Sequence, residues 1–176
     1  MRLFVAVPVP ESLREKIAEL GKEIQGDGVL PVKAENMHLT LKFIGEGRPD
    51  KLGEIREKLA AVRFEKFACS LRGTGVFPNE SYIRVVWAGC ESGGKLEELA
   101  KGVAGALKGY GEDERFTAHL TIARVKKKLD FSRFLEAHKG EDFGSFDVSE
   151  FRLIESVLGG RDGPEYRTLA VFGAEG

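Results

Sequence analysis

The stretch HLTLKFIG, residues 38–45, decides the fold together with a second stretch, HLTIARV, residues 119–125. Both are rich in β-branched and apolar residues, and each therefore predicts a strand. Each begins with the same His-Leu-Thr tripeptide. Leu3 lies 35 positions before the first tripeptide, and Ile83 lies 36 positions before the second. One motif at the same place in two halves of about eighty residues indicates an internal repeat.

The residues around the two motifs predict the same order of elements in each half: strand, helix, His-Leu-Thr strand, helix, strand. The helices are predicted from apolar residues that recur three or four positions apart, and the strands from apolar runs that end in Gly, Pro or Asn. The predicted strands cover 3–9, 38–45, 67–77, 82–90, 119–125, 146–158 and 167–172, with a turn at 159–165; the helices cover 13–24, 52–62, 96–107 and 130–138.

Neither half carries enough elements to close a core alone, so the repeat predicts one α+β domain over residues 1–176. We expect two pseudo-symmetric lobes of mainly antiparallel sheet, with helices on the outer faces and a central cleft. The lobes are expected at about 1–77 and 82–176, with a linker at 78–81. Ligand sites favour such interfaces between lobes.

Composition excludes several classes of protein. The 176 residues carry 31% charged side chains and a formal net charge of −1, so a polybasic coat is excluded and an anionic ligand must be held by local groups. No uncharged run approaches the length of a membrane span. Cys69 and Cys90 are isolated, without C-x-x-C spacing, which argues against a zinc site or a disulfide framework and favours a cytoplasmic protein.

The two tripeptides place an imidazole beside a hydroxyl twice. Residues i and i+2 of a strand share a face, so His38 accompanies Thr40, and His119 accompanies Thr121. The leucine between them points to the opposite, packed face. A pseudo-twofold axis would bring the two pairs together across the cleft.

Two imidazoles can divide the work of one displacement, since one neutral ring accepts a proton while one charged ring donates a proton. Threonine hydroxyls can donate to phosphoryl oxygens as charge develops on them. The residues therefore predict metal-free phosphoester transfer, with no cofactor. No H-x-H or H-E-x-x-H motif and no repeated third ligand supports a metal site. The alternative is that the repeat preserves the tripeptide for packing alone.

The paired motifs resemble the H-x-T-x motifs of the 2H phosphoesterase superfamily, and within it the RNA 2′,3′-cyclic phosphodiesterases, historically called 2′-5′ RNA ligases. The opening MRLFVAVPVPESL and the closing LIESVLGGRDGPEYRTL also resemble that family. The resemblance implies two similar lobes around a cleft. It also implies metal-independent opening of a terminal 2′,3′-cyclic phosphate by water to give a 2′-phosphate, with 2′-5′ ligation as the related reaction of a 5′-hydroxyl.

The resemblance assigns roles to two residues that follow the motifs at the same offset. Phe43 would pack near the terminal base, and Arg124 would contact phosphate. Each lies five positions after its histidine, and on a regular strand such a residue points away from that histidine. A bulge, a strong twist or the strand's end is required to turn it back. The alternatives are core packing for Phe43 and a surface ion pair for Arg124.

Other residues are candidates by position. Phe116 resembles an aromatic before the second motif and Tyr166 a family position near the cleft. The lysines Lys42 and 126–128 flank the motifs and could meet an RNA backbone or form a solvated face. Trp87 is expected in the core and His138 at the solvent surface.

The resemblance and the unequal neighbours of the motifs assign His38 as the general acid and His119 as the general base. The expected partners are RNA ends bearing 2′,3′-cyclic phosphate, tRNA fragments among them, for a monomeric protein. Two other interpretations stay open: a 2H enzyme acting on a small cyclic nucleotide or ADP-ribose cyclic phosphate, and a non-catalytic RNA-binding module.

Overall fold

The computed structural model describes residues 1–159 and 163–175, and within them four helices and nine strands form a mixed α+β fold. Two short 3-10 helices cover Ala34–Asn36 and Pro49–Lys51. The elements are β1 (Arg2–Pro8), α1 (Glu11–Glu23), β2 (Val29–Pro31), β3 (His38–Glu46), α2 (Leu52–Ala60), β4 (Phe67–Asn79), β5 (Tyr82–Glu91), α3 (Lys95–Ala106), β6 (His119–Val125), α4 (Ser132–Ala137), β7 (Asp142–Val148), β8 (Glu150–Val157) and β9 (Glu165–Gly173).

The strands form two sheets in which every named pairing is antiparallel. Sheet A has the order β3-β1-β8-β9, and sheet B has the order β2-β6-β5-β4-β7. One His-Leu-Thr strand lies in each sheet, and the two contact each other. The prediction of two mainly antiparallel layers is confirmed, and the contact between β3 and β6 positions the site.

The two sheets do not coincide with the predicted lobes at about 1–77 and 82–176. Strand β4 comes from the first half but lies in sheet B, whereas β8 and β9 come from the second half and complete sheet A. The halves therefore exchange strands. Such an exchange gives β1 a neighbour on both sides, and five of its seven residues are buried.

Two predicted connections are corrected by this exchange. The expected linker at 78–81 is a tight hairpin, because β4 and β5 pair up to Asn79 and Tyr82. The side chain of Asn79 closes the turn by accepting hydrogen bonds from the backbone of Ser81 and Tyr82 at 3.0 and 2.9 Å. The single strand expected at 146–158 is interrupted at Ser149, where the chain leaves sheet B and enters sheet A.

The predicted helices are confirmed and cover different sheets. Helix α1 packs on β2, β6 and β7, whereas α2 contacts β9 and α3 contacts β3. Gly21 allows the close approach of α1, since a Cβ there would lie 3.3 Å from Pro31. The short strand β2 has no counterpart in the sequence prediction. The predicted turn at 159–165 falls partly on residues 160–162, outside the described residues.

The leucines of the two tripeptides point into the core, as predicted. Leu39 and Leu120 are 1% and 0% exposed. Their burial turns the neighbouring histidines and threonines to the other face of each sheet, toward the cleft. Within the described part of the chain, no helix is both long enough and apolar enough to cross a membrane.

Candidate active site

A cavity of about 950 Å³ opens between the two sheets, and all eight residues singled out in the sequence line it. Both imidazoles and both threonine hydroxyls are among them. The volume lies at the upper end of the usual range for ligand pockets. The complete set of predicted site residues along its wall is His38, Thr40, Phe43, Phe116, His119, Thr121, Arg124 and Tyr166.

The two histidines are held in the same way. The Nδ1–H of His38 donates to the carbonyl of Asn36 at 3.3 Å, and the Nδ1–H of His119 donates to the carbonyl of Thr117 at 2.7 Å. A carbonyl can only accept, so these contacts favour the tautomer with hydrogen on Nδ1. Each neutral ring then offers Nε2, with a free lone pair, to the cavity.

Matching β-bulges turn the residue five positions after each histidine back to the face of that histidine. Thr40 pairs with Ala6 and Lys42 pairs with Val5, which leaves Leu41 as an extra residue in β3. In β6, Thr121 pairs with Trp87 and Ala123 pairs with Val86, which leaves Ile122 as the extra residue. Both extra residues lie three positions after the histidine, and each bulge reverses the alternation of faces beyond it.

The bulges bring Phe43 and Arg124 to the cavity. The Phe43 side chain is 54% exposed and so is not packed in the core. Its ring centroid lies 6.1 Å from that of Phe4, directly across the strand pair. Arg124, on the other sheet, pairs with Leu30 and Val85 and has its guanidinium close enough to influence His119.

Each imidazole lies against two aromatic rings. The ring centroid of His38 lies 6.3 Å from Phe4 and 5.8 Å from Tyr166. That of His119 lies 5.0 Å from Phe77 and 6.4 Å from Trp87. These apolar walls exclude water from one side of each ring.

Burial is the main electrostatic influence on both histidines. Desolvation lowers the pKa of His38 below its ordinary value, and the positive charges of Arg14 and Arg152 lower it further. Desolvation likewise lowers the pKa of His119, together with the charge of Arg124. The hydrogen bond to a carbonyl opposes the shift in each case. Both rings are therefore held neutral in the free protein at neutral pH.

A smaller cavity of about 480 Å³ also has His38 in its wall, together with Arg14 and Arg152. Arg14 donates to the carbonyls of Val9 and Ala34 at 2.8 and 3.0 Å, which fixes its guanidinium. Arg152 pairs with Glu150 at 2.6 Å. The charges that act on His38 are thus set by the fold.

Sequence reasoning missed three of the aromatic neighbours. These are the contacts of His38 with Phe4 and of His119 with Phe77 and Trp87. They depend on which strands pair, and no local sequence pattern reveals that pairing. Trp87 is half-buried rather than a core residue, and its ring covers Gly75 of β4, where a Cβ would lie 2.2 Å from it.

The expectation of a solvent-facing His138 is wrong. Its side chain is 12% exposed, and its two ring nitrogens contact Glu23 of α1 at 3.0 Å and Glu141 at 3.3 Å. The aromatic rings of Phe134 in α4 and Phe143 in β7 lie against the imidazole, with centroids 4.8 and 6.2 Å away. His138 joins elements of the fold and lies outside the cavity.

Comparison with known proteins gives consistent matches along the whole chain. A family model described as LigT like phosphoesterase matches residues 7–87. A protein of Archaeoglobus fulgidus named RNA 2′,3′-cyclic phosphodiesterase is 44% identical, over 98% of this chain and 99% of its own. One of Methanocaldococcus jannaschii with the same name is 35% identical, over 96% and 98%.

Solved structures agree with this result. A protein of Thermus thermophilus matches with a TM-score of 0.82 and 33% identity, covering 98% of this chain and 97% of its own. Escherichia coli LigT, crystallised with 3′-AMP, matches with a TM-score of 0.82 and 27% identity over 98% and 97%.

Proposed function

The chain belongs to the LigT-like phosphoesterases of the 2H superfamily, and on this premise we propose that it opens 2′,3′-cyclic phosphates at RNA ends. One observation carries the proposal. Two His-x-Thr pairs, one from each sheet, line a single cavity, with each imidazole oriented by a carbonyl at Nδ1. In the reaction, water attacks phosphorus, the bond from phosphorus to the 3′-oxygen breaks, and a 2′-phosphate remains.

His119 acts as the general base. Its Nε2 accepts a proton from the attacking water, and burial favours the neutral ring that this step needs. The Nδ1–H bond to Thr117 fixes the ring and stabilises the positive charge that the ring acquires. The guanidinium of Arg124 meets a non-bridging oxygen of the phosphate on the same side.

His38 acts as the general acid and gives a proton to the departing 3′-oxygen. This ring is neutral in the free protein, because burial and two arginines lower its pKa. An anionic cyclic phosphate in the cavity favours the charged form of the ring. Substrate binding therefore raises the pKa of His38, and the ring becomes protonated. Protonation is thereby coupled to occupation of the site.

The hydroxyls of Thr40 and Thr121 donate to the non-bridging oxygens, where charge accumulates in the transition state. Phe43 gives the terminal base an exposed ring, and such stacking is worth about 1–3 kcal/mol with little preference for sequence. Tyr166 and Phe116 complete the walls around the nucleoside.

No metal ion or cofactor takes part in this proposal. Within residues 1–159 and 163–175, no three His, Cys, Asp or Glu side chains are grouped to hold a metal ion. Attack by an RNA 5′-hydroxyl in place of water would use the same groups and give a 2′-5′ linkage. The buried free thiols of Cys69 and Cys90 favour a reducing, cytoplasmic compartment. We further propose a monomer that acts on RNA ends such as those of tRNA fragments.

The direct test is incubation, in chelator, with an oligoribonucleotide ending in 2′,3′-cyclic phosphate, followed by product analysis. We expect a 2′-phosphate and no 3′-phosphate. Parallel reactions contain a 2′,3′-cyclic mononucleotide and an ADP-ribose cyclic phosphate. Turnover of the ADP-ribose compound alone would contradict the proposal, and binding of RNA without turnover would favour a non-catalytic module.

A further inference from the structure

Lys42 is a buried charge in the wall of the main cavity. Within the described residues it is the only charged side chain that the fold buries, with 8% of its surface exposed. Its Nζ donates one hydrogen bond, at 3.2 Å, to the backbone carbonyl of Glu112. An ammonium group has three donors, and among the described residues this one pairs with no carboxylate.

An ammonium buried beside one neutral carbonyl is destabilising unless an anion compensates it. The lysines at 126–128 are different, because they are exposed and lie outside the cavity, and Lys127 pairs with Asp27. The geometry of Lys42 thus favours an anionic ligand, and the cavity that Lys42 lines has space for one.

The position of Lys42 is fixed by its surroundings. Lys42 follows the extra residue Leu41. Because the bulge reverses the alternation of faces, Lys42 does not share the face of His38 and Thr40. The loop that supplies the Glu112 carbonyl packs on β3 at Gly111, whose φ is +70° and where a Cβ would lie 2.4 Å from the Phe43 carbonyl. Lys42 therefore leaves β3 on the face opposite to Phe43, and its Nζ is held at the cavity wall by the loop that carries Glu112.

We propose that Lys42 binds the phosphodiester that joins the terminal nucleotide of an RNA to the nucleotide before it. This inference rests on the proposed function and names its substrate class, a chain of at least two nucleotides. The reacting phosphate is served by the two histidines, the two threonines and Arg124. The next charged group along an RNA lies beyond the terminal nucleoside, and Phe43 and Lys42 both line the cavity that would hold this part of the chain.

The test compares substrates with and without that phosphodiester. Lys42→Met keeps an unbranched side chain only one atom shorter and removes its charge. We expect kcat/KM for a dinucleotide ending in 2′,3′-cyclic phosphate to fall about 10- to 100-fold more than kcat/KM for the cyclic mononucleotide, mostly through KM, because a charge-assisted hydrogen bond is lost. For a longer oligonucleotide, the slope of log(kcat/KM) against log salt should decrease by about 0.7.

A dinucleotide with a neutral methylphosphonate linkage completes a double-mutant cycle. The wild-type protein should lose activity on this substrate relative to the phosphodiester, and Lys42→Met should not distinguish the two linkages. Lys128→Met, in an exposed lysine outside the cavity, is the matched control and should retain the wild-type preference. Thermal unfolding of each variant verifies that it is folded.

Two results would overturn the inference. An equal loss on mononucleotide and dinucleotide would assign Lys42 to the reacting phosphate or to the support of the Glu112 loop. Full activity of Lys42→Met on all substrates would remove it from binding altogether. Failure of the proposed function itself is distinguishable, because the wild-type protein would then open neither cyclic phosphate.

Discussion

The three histidines differ in environment, and this gives a prediction for each ring. Burial lowers the pKa of His38 and His119, whereas Glu23 and Glu141 raise that of His138. A titration followed by the proton NMR signals of the imidazoles should show two rings with pKa values below 6.5 and one above. Two or three rings titrating above 6.5 would contradict the burial described for the cavity.

Arginine variants show which of the two imidazole NMR signals with a lowered pKa belongs to His38 and which belongs to His119. Arg152→Gln removes a positive charge that disfavours protonated His38, so the pKa of His38 should rise while that of His119 stays. Arg124→Gln should raise the pKa of His119 alone. A common shift in both variants would mean that the charges do not act on separate rings.

Loss of either cavity histidine should be costly, because acid and base act in one displacement. We expect His38→Ala and His119→Ala each to lower kcat by roughly 10²–10⁴ on an RNA 2′,3′-cyclic phosphate. The rate of each variant is measured by product formation at saturating substrate. Near-normal turnover of either variant would refute the proposed mechanism.

The division of roles between the two histidines is tested with a better leaving group. A cyclic phosphate whose 3′-oxygen is replaced by sulfur needs little protonation as its bond to phosphorus breaks. This substrate should restore activity to His38→Ala and not to His119→Ala, because only the former lacks the acid. Rescue of His119→Ala instead would exchange the two roles and leave the reaction unchanged.

At the scale of elements, the sequence predicted which residues line the cavity better than it predicted how the strands turn them toward it. The spacing of His38 and Thr40 placed both on the cleft face, because alternation is a local property of a strand. Phe43 and Arg124 broke that rule, and only the bulges at Leu41 and Ile122 explain how they return to the cavity. A bulge is defined by the partner strand, so a single strand's sequence does not locate it.

The hairpin of β4 and β5 supports His119 through Trp87, and Gly75 provides the space for that ring. A Cβ at Gly75 would lie 2.2 Å from the indole, so Gly75→Ala should displace Trp87 and the imidazole beside it. We expect a loss of about 1–3 kcal/mol in stability and a lower kcat. Denaturant unfolding measures the stability, turnover at saturating substrate measures kcat, and the fluorescence of Trp87 reports the displacement of its ring.

Gly105→Ala is the matched control for this substitution. Gly105 lies in the last turn of α3, and nothing beyond its chain neighbours and the backbone of its own helix lies within 4 Å of a Cβ there. Alanine should stabilise the helix by about 0.5–1 kcal/mol and leave kcat unchanged. Equal behaviour of the two variants would show that the contact between Gly75 and Trp87 is unimportant.

At the scale of the whole molecule, the repeat was visible in the sequence but the strand exchange was not. The order of elements in each half follows from local periodicity. The choice of partner for β4, β8 and β9 depends on contacts between distant residues, for example β1 with β8, which no local pattern encodes. The boundaries at about 1–77 and 82–176 therefore mark the repeat and do not mark the sheets.

Independence from metal ions is a property of the complete enzyme. The proposed reaction uses two imidazoles, two hydroxyls and a guanidinium, all from the chain itself. Activity on an RNA 2′,3′-cyclic phosphate should therefore be unchanged after dialysis against excess chelator. Loss of activity that one particular divalent ion restores would refute the mechanism based on two histidines.

The contacts of His138 link α1 to the segment between α4 and β7, and we expect them to make global stability depend on pH. The carboxylates of Glu23 and Glu141 raise the pKa of His138 above its unfolded value near 6.5. Protonated His138 therefore stabilises the fold fully below pH 6.5, and this contribution disappears as pH rises through the higher folded pKa.

His138→Gln removes this charge without touching the cavity, so its effect on folding can be separated from catalysis. The loss of unfolding free energy relative to the wild-type protein should be largest near pH 6, at about 1 kcal/mol, and should shrink toward pH 9. Urea denaturation of both proteins between pH 5.5 and 9 measures the difference, and the contributions of titrating groups that do not contact His138 cancel in it. Turnover of the cyclic phosphate should be retained in the variant. A difference that grows with pH would mean that His138 stabilises the fold as a neutral ring, through its contacts with Phe134 and Phe143.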